Sequence, residues 1–296
     1  MMRNKAFLLL ILLTGTKAGA QTPIVQSDLA VPTKVAPAYF GPNAFPVPVI
    51  PEARIDKAIT AELSGDFFLG QGKALDFTGG PSFRLRIPLW TDRAALSLWM
   101  PVQEWWRYDG QTAAMRRLGE RYRDGGKGHD SGDLYISADL YVLRARGWIP
   151  DVLVRAVLKT ASGNHFAEAR YYDAPGYFFD ATIANSLYFK GFFKELRGAA
   201  SGGFLCWQTD NGRQNDAIQA GVSAMLDTKV FRLETQLAGY FGWEKDGDRP
   251  ITARARLDFH AGHLSPFLVF AWGIRDYPFM MMSAGLRYDF PMTRFF

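Results

Sequence analysis

Cysteine is almost missing from this sequence. Cys206 is the only one, so no internal disulfide can form and a disulfide-stapled scaffold is excluded. Histidine is nearly as scarce, with four residues and no His/Cys cluster at ligand spacing, which leaves no metal site. No apolar run reaches the ~20 residues that a membrane-spanning helix needs. The glycine pairs at 79–80, 125–126 and 202–203 lie outside any phosphate-loop pattern and suit turns or strand bends. Nothing implies a cofactor. A basic surface is lacking too. The formal charge is +5, but Arg3, Lys5 and Lys17 fall within residues 1–20, where no acid offsets them. The remainder is close to neutral, and nucleic acid is not an expected partner.

Aromatics are plentiful: 23 Phe, 12 Tyr and 8 Trp make up 15% of the chain. Abundant aromatics without a long hydrophobic run suit a wall whose residues face lipid and lumen alternately.

The N-terminus reads as an export signal. Arg3 and Lys5 precede a short apolar stretch, Phe7 to Leu13, and Ala18-Gly19-Ala20 offers a small-residue site before Gln21. Cleavage is expected after Ala20. Residues 21–57 then carry seven prolines, which oppose regular pairing. They predict an extended segment, in the periplasm or partly inside a barrel mouth. The stretch Tyr39 to Pro46 is too apolar for a plain linker and predicts a packed latch.

From residue 58 onward the pattern has period two. Leu63, Gly65, Phe67 and Leu69 alternate with Glu62, Ser64 and Asp66; Ile136, Ala138, Leu140 and Val142 alternate with Ser137, Asp139 and Tyr141; Ala253, Ala255 and Leu257 alternate with Arg254, Arg256 and Asp258. Such alternation places one set on each side of a pleated strand. About twelve such segments occur, most of roughly 9 to 14 residues, long enough to cross a membrane when tilted. Soluble strands average only about five or six residues. Short links at Thr91–Arg93, Arg144–Pro150, Asp227–Lys229 and Ala261–His263, with a further turn expected at Glu195–Gly198, contrast with long stretches at 104–131 and 160–175. The predicted fold is an all-β, transmembrane, antiparallel up-and-down β-barrel of about twelve strands over residues 58–296, in a Gram-negative outer membrane, with short periplasmic turns and longer outer loops.

Two stretches resemble known barrels. Gly285-Leu286-Arg287-Tyr288-Asp289-Phe290 looks like the terminal strand of outer-membrane proteins, which implies the barrel-assembly machinery as a partner; the chain runs on to Phe295-Phe296. Pro150-Asp151-Val152 through Lys159-Thr160-Ala161-Ser162-Gly163 is similar to a strand-and-turn signature of the phenol-degradation meta-pathway transporter family, which usually has Pro and Thr where Ala161 and Ser162 stand. The resemblance covers fewer than twenty residues and implies a transport-type barrel.

Charges sit consistently opposite the apolar phase. Arg or Lys on the lipid face would cost ~2–4 kcal/mol each at mid-membrane, so the charged phase marks the lumen. The expected lumen-lining residues are Glu62, Asp66, Arg84, Arg86, Asp139, Arg155, Lys159, Asp180, Arg232, Glu234, Arg254, Arg256 and Asp258. Acids and bases balance in this phase, which predicts weak ion selectivity or mutual pairing. Twelve strands at ~4.8 Å spacing and ~40° tilt give a wall ~75 Å around and ~24 Å across, with a free passage on the order of 10 Å for small solutes.

The first functional expectation is therefore a channel or transporter for small solutes. One alternative is a structural or surface-binding barrel. Trp105, Trp106, Arg116 and Arg117 in the loop 104–131 have the aromatic and cationic character to grip sugars or lipopolysaccharide among the outer-membrane lipids, although the two tryptophans also suit an interfacial girdle. The second alternative is a lipid hydrolase using His263-Leu264-Ser265, a two-residue match to a His-x-Ser pair. A turn histidine followed by a strand-starting serine explains that motif more simply.

Overall fold

The computed structural model describes residues 34–89, 92–209 and 216–290; the expected export signal lies outside them. Within that range the alternating segments become β1 (Thr60–Gly70), β2 (Asp76–Leu89), β3 (Ala94–Pro101), β4 (Glu104–Asp109), β5 (Gly125–Asp130), β6 (Tyr135–Leu143), β7 (Asp151–Lys159), β8 (Gly176–Tyr188), β9 (Phe193–Cys206), β10 (Asp216–Thr228), β11 (Phe231–Phe241), β12 (Ile251–Phe259), β13 (Leu264–Arg275) and β14 (Phe279–Asp289). All pairings are antiparallel, and β1 pairs with both β2 and β14. This closes a twelve-stranded barrel and leaves no free edge in the wall.

The remaining two strands, β4 and β5, are not in the wall. They form a hairpin in the loop 102–134, where a plain loop was expected. The upper part of β2, Asp76 to Gly79, pairs with β4, while Ser82 to Leu89 pairs with β3. Gly80 sits at the fork: a Cβ there would collide with the Gln103 carbonyl, so only glycine lets the backbones meet this closely.

The surface is inverted relative to a water-soluble protein. Leu63, Leu158, Ile183, Ile218 and Val222 point outward and are more than half exposed, while Asp139, Asp180, Thr182, Gln236 and Asp258 are buried inside. This is the arrangement a lipid-facing wall requires. Among the described residues no helix is long and apolar enough to cross a membrane.

The longest links, 102–134, 160–175, 207–215 and 242–250, all lie at one end of the barrel, and the other end has only shorter turns. At the short-turn end β10 and β11 are joined by two residues, and the Thr228 hydroxyl accepts from the Val230 and Phe231 amides at 3.2 and 3.0 Å. The turn expected at Glu195–Gly198 lies earlier, at residues 189–192, with Gly191 at φ 111°. Glu195 and Arg197 belong instead to β9. They resembled turn residues because they are charged, but both are buried inward and ion-paired.

Candidate functional site

The lumen is not empty. Residues 34–57, expected in the periplasm or partly in the mouth, run the whole length of the interior from the long-loop end to the start of β1. At the long-loop end Lys34 pairs with Glu244 at 2.6 Å and the Tyr39 hydroxyl donates to Asp246 at 2.7 Å. The apolar stretch Tyr39 to Pro46 is the anchor. Phe40 and Phe45 are edge-to-face at 5.2 Å and pack with Tyr172, Trp207 and Tyr240 in the main apolar cluster. Backbone groups of this strap, which its prolines keep from pairing as a strand, are met one at a time. Gly41 N–H donates to the Ala169 carbonyl at 2.7 Å, the Tyr277 hydroxyl to Pro42 at 3.0 Å, and the Tyr240 hydroxyl to Phe45 at 3.0 Å. Lower down, the Gln236 side-chain amide bonds both the N–H and the C=O of Ile50, each at 3.1 Å.

The foot of the strap is held by ions. Arg54 reaches Glu195 with two hydrogen bonds, at 2.8 and 3.1 Å. Arg197 donates to the carbonyls of Glu52 and Ala53 and, at 2.7 Å, to Asp151. Glu52 also pairs with Arg232 at 3.2 Å. Ala53 is fully buried with φ 55°, a left-handed conformation unfavourable for alanine. That backbone aims two successive carbonyls at one guanidinium.

The strap is tied by hydrogen bonds to β7, β9 and β11 and leaves space beside it. Two adjoining cavities occupy that space. The upper one, of about 240 Å³, is bordered by Trp99, Tyr135, Phe267, Met281 and Val47; the lower, of about 290 Å³, is bordered largely by charge. Glu62, Arg84, Arg254 and Arg256 border both. Arg86, Asp139, Arg155, Arg232, Glu234 and Asp258 border the lower cavity, and Asp66 borders the upper. Asp180 stands behind Arg155 and accepts from it at 2.6 Å. Lys159 faces neither cavity: it is buried against Asp133 at 2.7 Å and the Ala174 carbonyl at 3.0 Å. The strap fills the middle of the bore, so the space left is these two cavities beside it rather than an open passage along the axis.

The outer-loop candidates separate. Trp105 and Trp106 are neighbours on a strand, so they face opposite ways. Trp105 is half exposed. Trp106 is buried, donates to Glu168 at 3.2 Å and lies under the Arg170 guanidinium at 4.9 Å, so the girdle reading fails for it. Arg116 is also buried, paired with Asp76 at 2.5 Å, and is not available to a sugar or lipid. Arg117 is exposed and lies over the Tyr39 ring at 4.7 Å. Sequence reasoning missed Glu104 and Arg170, which are buried together at 2.6 Å and join the strap through Asn43. Only the loop fold, and no local pattern, brings them into contact.

His263 and Ser265 lie at the short-turn end. The His263 ring nitrogen Nδ1 is 3.0 Å from the Asp289 carbonyl oxygen, and Ser265 is buried. Among the described residues the two make no hydrogen bond with each other.

The sequence matches no protein-family model and no curated protein. Among solved structures, an outer-membrane channel from Pseudomonas putida F1 superposes with a TM-score of 0.59 at 13% identity, covering 82% of this chain and 100% of that one. The fold is that of an outer-membrane β-barrel. The NanC porin covers 78% of this chain and is itself covered completely, at a TM-score of 0.48 and 9% identity.

Proposed function

We propose that this chain is an outer-membrane channel for small solutes, with residues 34–57 as a built-in restrictor of its bore. The observation that carries this reading is the pair of adjoining cavities left beside the strap inside a closed barrel that is apolar outside and ionic inside. A barrel serving only as a wall anchor has no need to keep charged, water-compatible space along its axis. The strap contacts set the size limit. Small molecules fit beside them, and folded chains do not.

The likeness to a channel from Pseudomonas putida F1 supports the same reading. The hydrolase alternative is weakened by the short-turn position of His263 and Ser265, by the burial of Ser265 and by the lack, among the described residues, of a hydrogen bond between the two. The test is planar-bilayer recording of the refolded full-length protein. Small, steady conductance steps support a restricted channel. Absence of conductance, together with no uptake of small solutes into proteoliposomes, overturns it.

A further inference from the structure

The ion pairs inside the lumen are unequal, and the inequality leaves two guanidiniums without firm partners. Arg256 takes both oxygens of Glu62, at 2.7 and 3.1 Å, and both oxygens of Asp258 as well. Arg86 is 2.9 Å from Asp139, and Arg155 and Arg54 have close carboxylates of their own. Arg84 is left 4.0 Å from the Glu62 carboxylate that Arg256 already occupies. Arg254 is 3.8 Å from Glu234, whose other oxygen accepts from Gln236 at 2.9 Å. Neither Arg84 nor Arg254 makes a hydrogen bond among the described residues, yet both border both cavities. Around the lower cavity eight arginines face six carboxylates.

The upper cavity that both arginines border also has apolar and aromatic walls, Trp99, Phe267, Val269 and Met281 among them, beside the charges of Glu62, Asp66 and Arg256. Arg84 lies over the Trp99 ring at 4.7 Å, and Trp99 stacks on Tyr135 with centroids 5.2 Å apart and planes 9° from parallel. The Tyr135 hydroxyl is buried and makes no hydrogen bond among the described residues. Pro46, Val47 and Val49 of the strap close the other side. A cavity of ~150 Å³ holds benzene, so about 240 Å³ holds a benzene ring with a carboxylate attached.

We propose that the upper cavity is a binding site for a small monocarboxylate with an aromatic or similarly compact apolar body, its carboxylate between Arg84 and Arg254 and its apolar part against Trp99 and the strap. The planar guanidinium matches a carboxylate with paired donors. This assignment rests on the channel reading above and names the solute class for it.

Benzoate and benzyl alcohol, which differ in charge but little in shape, serve as probes. They are titrated calorimetrically into detergent-solubilised full-length protein at low salt. Benzoate is expected to bind at least about tenfold more tightly, with affinity falling as salt rises. The double variant Arg84→Gln/Arg254→Gln is expected to bring the two probes level. In a salt gradient the wild-type reversal potential is expected to show anion preference that this variant loses. Equal affinity for the two probes in the wild type overturns the proposal whether or not the variant folds, as does a folded variant that holds benzoate unchanged. A protein that binds benzoate but passes no current sinks the channel reading and leaves the site standing. One that conducts without binding benzoate does the reverse.

Discussion

Arg197 shows how much one side chain decides here. It is buried, and it donates to Asp151, to the Ser186 hydroxyl and to two consecutive strap carbonyls. Arg197→Met keeps much of the stem but leaves Asp151 and both carbonyls short of a donor. Removing one partner of a buried ion pair costs about 3–5 kcal/mol, so a lower unfolding midpoint in guanidinium is expected, together with larger conductance steps as the foot of the strap loosens. Asp246 acts at the opposite end. The hydrogen bond from Tyr39, helped by nearby Lys34, holds its carboxyl below the ordinary value. A carboxylate depressed in the folded state contributes its stability above the ordinary carboxylate range and loses it as pH falls through the depressed value. The Tyr39 amide, bonded to the Ala36 carbonyl at 3.0 Å, is therefore expected to show hydrogen-exchange protection near neutrality and less once the pH has fallen through the depressed value of Asp246, below the ordinary carboxylate range. Equal protection factors at both pH values would count against the anchor.

At the scale of one element, a barrel strand has two faces with opposite requirements. Val222 in β10 faces outward beside Leu237 of β11 in the register, while Gln219 and Met225 on the same strand are buried inside. Val222→Arg places a charge in lipid and is expected to destabilise the barrel by up to about 4 kcal/mol, the mid-membrane cost, read as a lower unfolding midpoint in liposomes. The strap is a different kind of element. It has no ladder, and its hold rests on Phe40 and Phe45 at one end and on ions at the other. Phe45→Ala removes a nearly fully buried ring that packs with Tyr172 and Trp207. The expected local cost is about 3–5 kcal/mol, felt as strap release with the barrel intact. Protease sensitivity of residues 34–57 should rise while the heat-modified gel mobility stays unchanged.

Over the whole molecule, the strap and the wall divide the work. The wall separates lipid from lumen, and the strap sets how much lumen is left. Releasing both strap ends, with Phe45→Ala and Arg54→Gln together, is expected to raise single-channel conductance more than either change alone, because the two anchors are at opposite ends of the bore. An unchanged conductance in the folded double variant would mean that the strap does not limit passage.

The sequence alone determined the wall. Alternation of apolar and ionic residues is a local property with a period of two, so Leu63 against Glu62, or Leu257 against Asp258, declares its face without reference to the rest of the chain. It also marked the arginines that border the cavities, because in a lipid-facing wall the charged phase has only one side to occupy. The path of the strap, the burial of Arg116 and Trp106, and the difference between a saturated Arg256 and an under-paired Arg84 were decided only by the tertiary structure. Each depends on groups far apart in the chain, such as Arg54 with Glu195 or Arg256 with Glu62. Long-range pairing of that kind is chosen when the cylinder closes, since only closure fixes which side chains share the interior and which carboxylate is nearest to each cation.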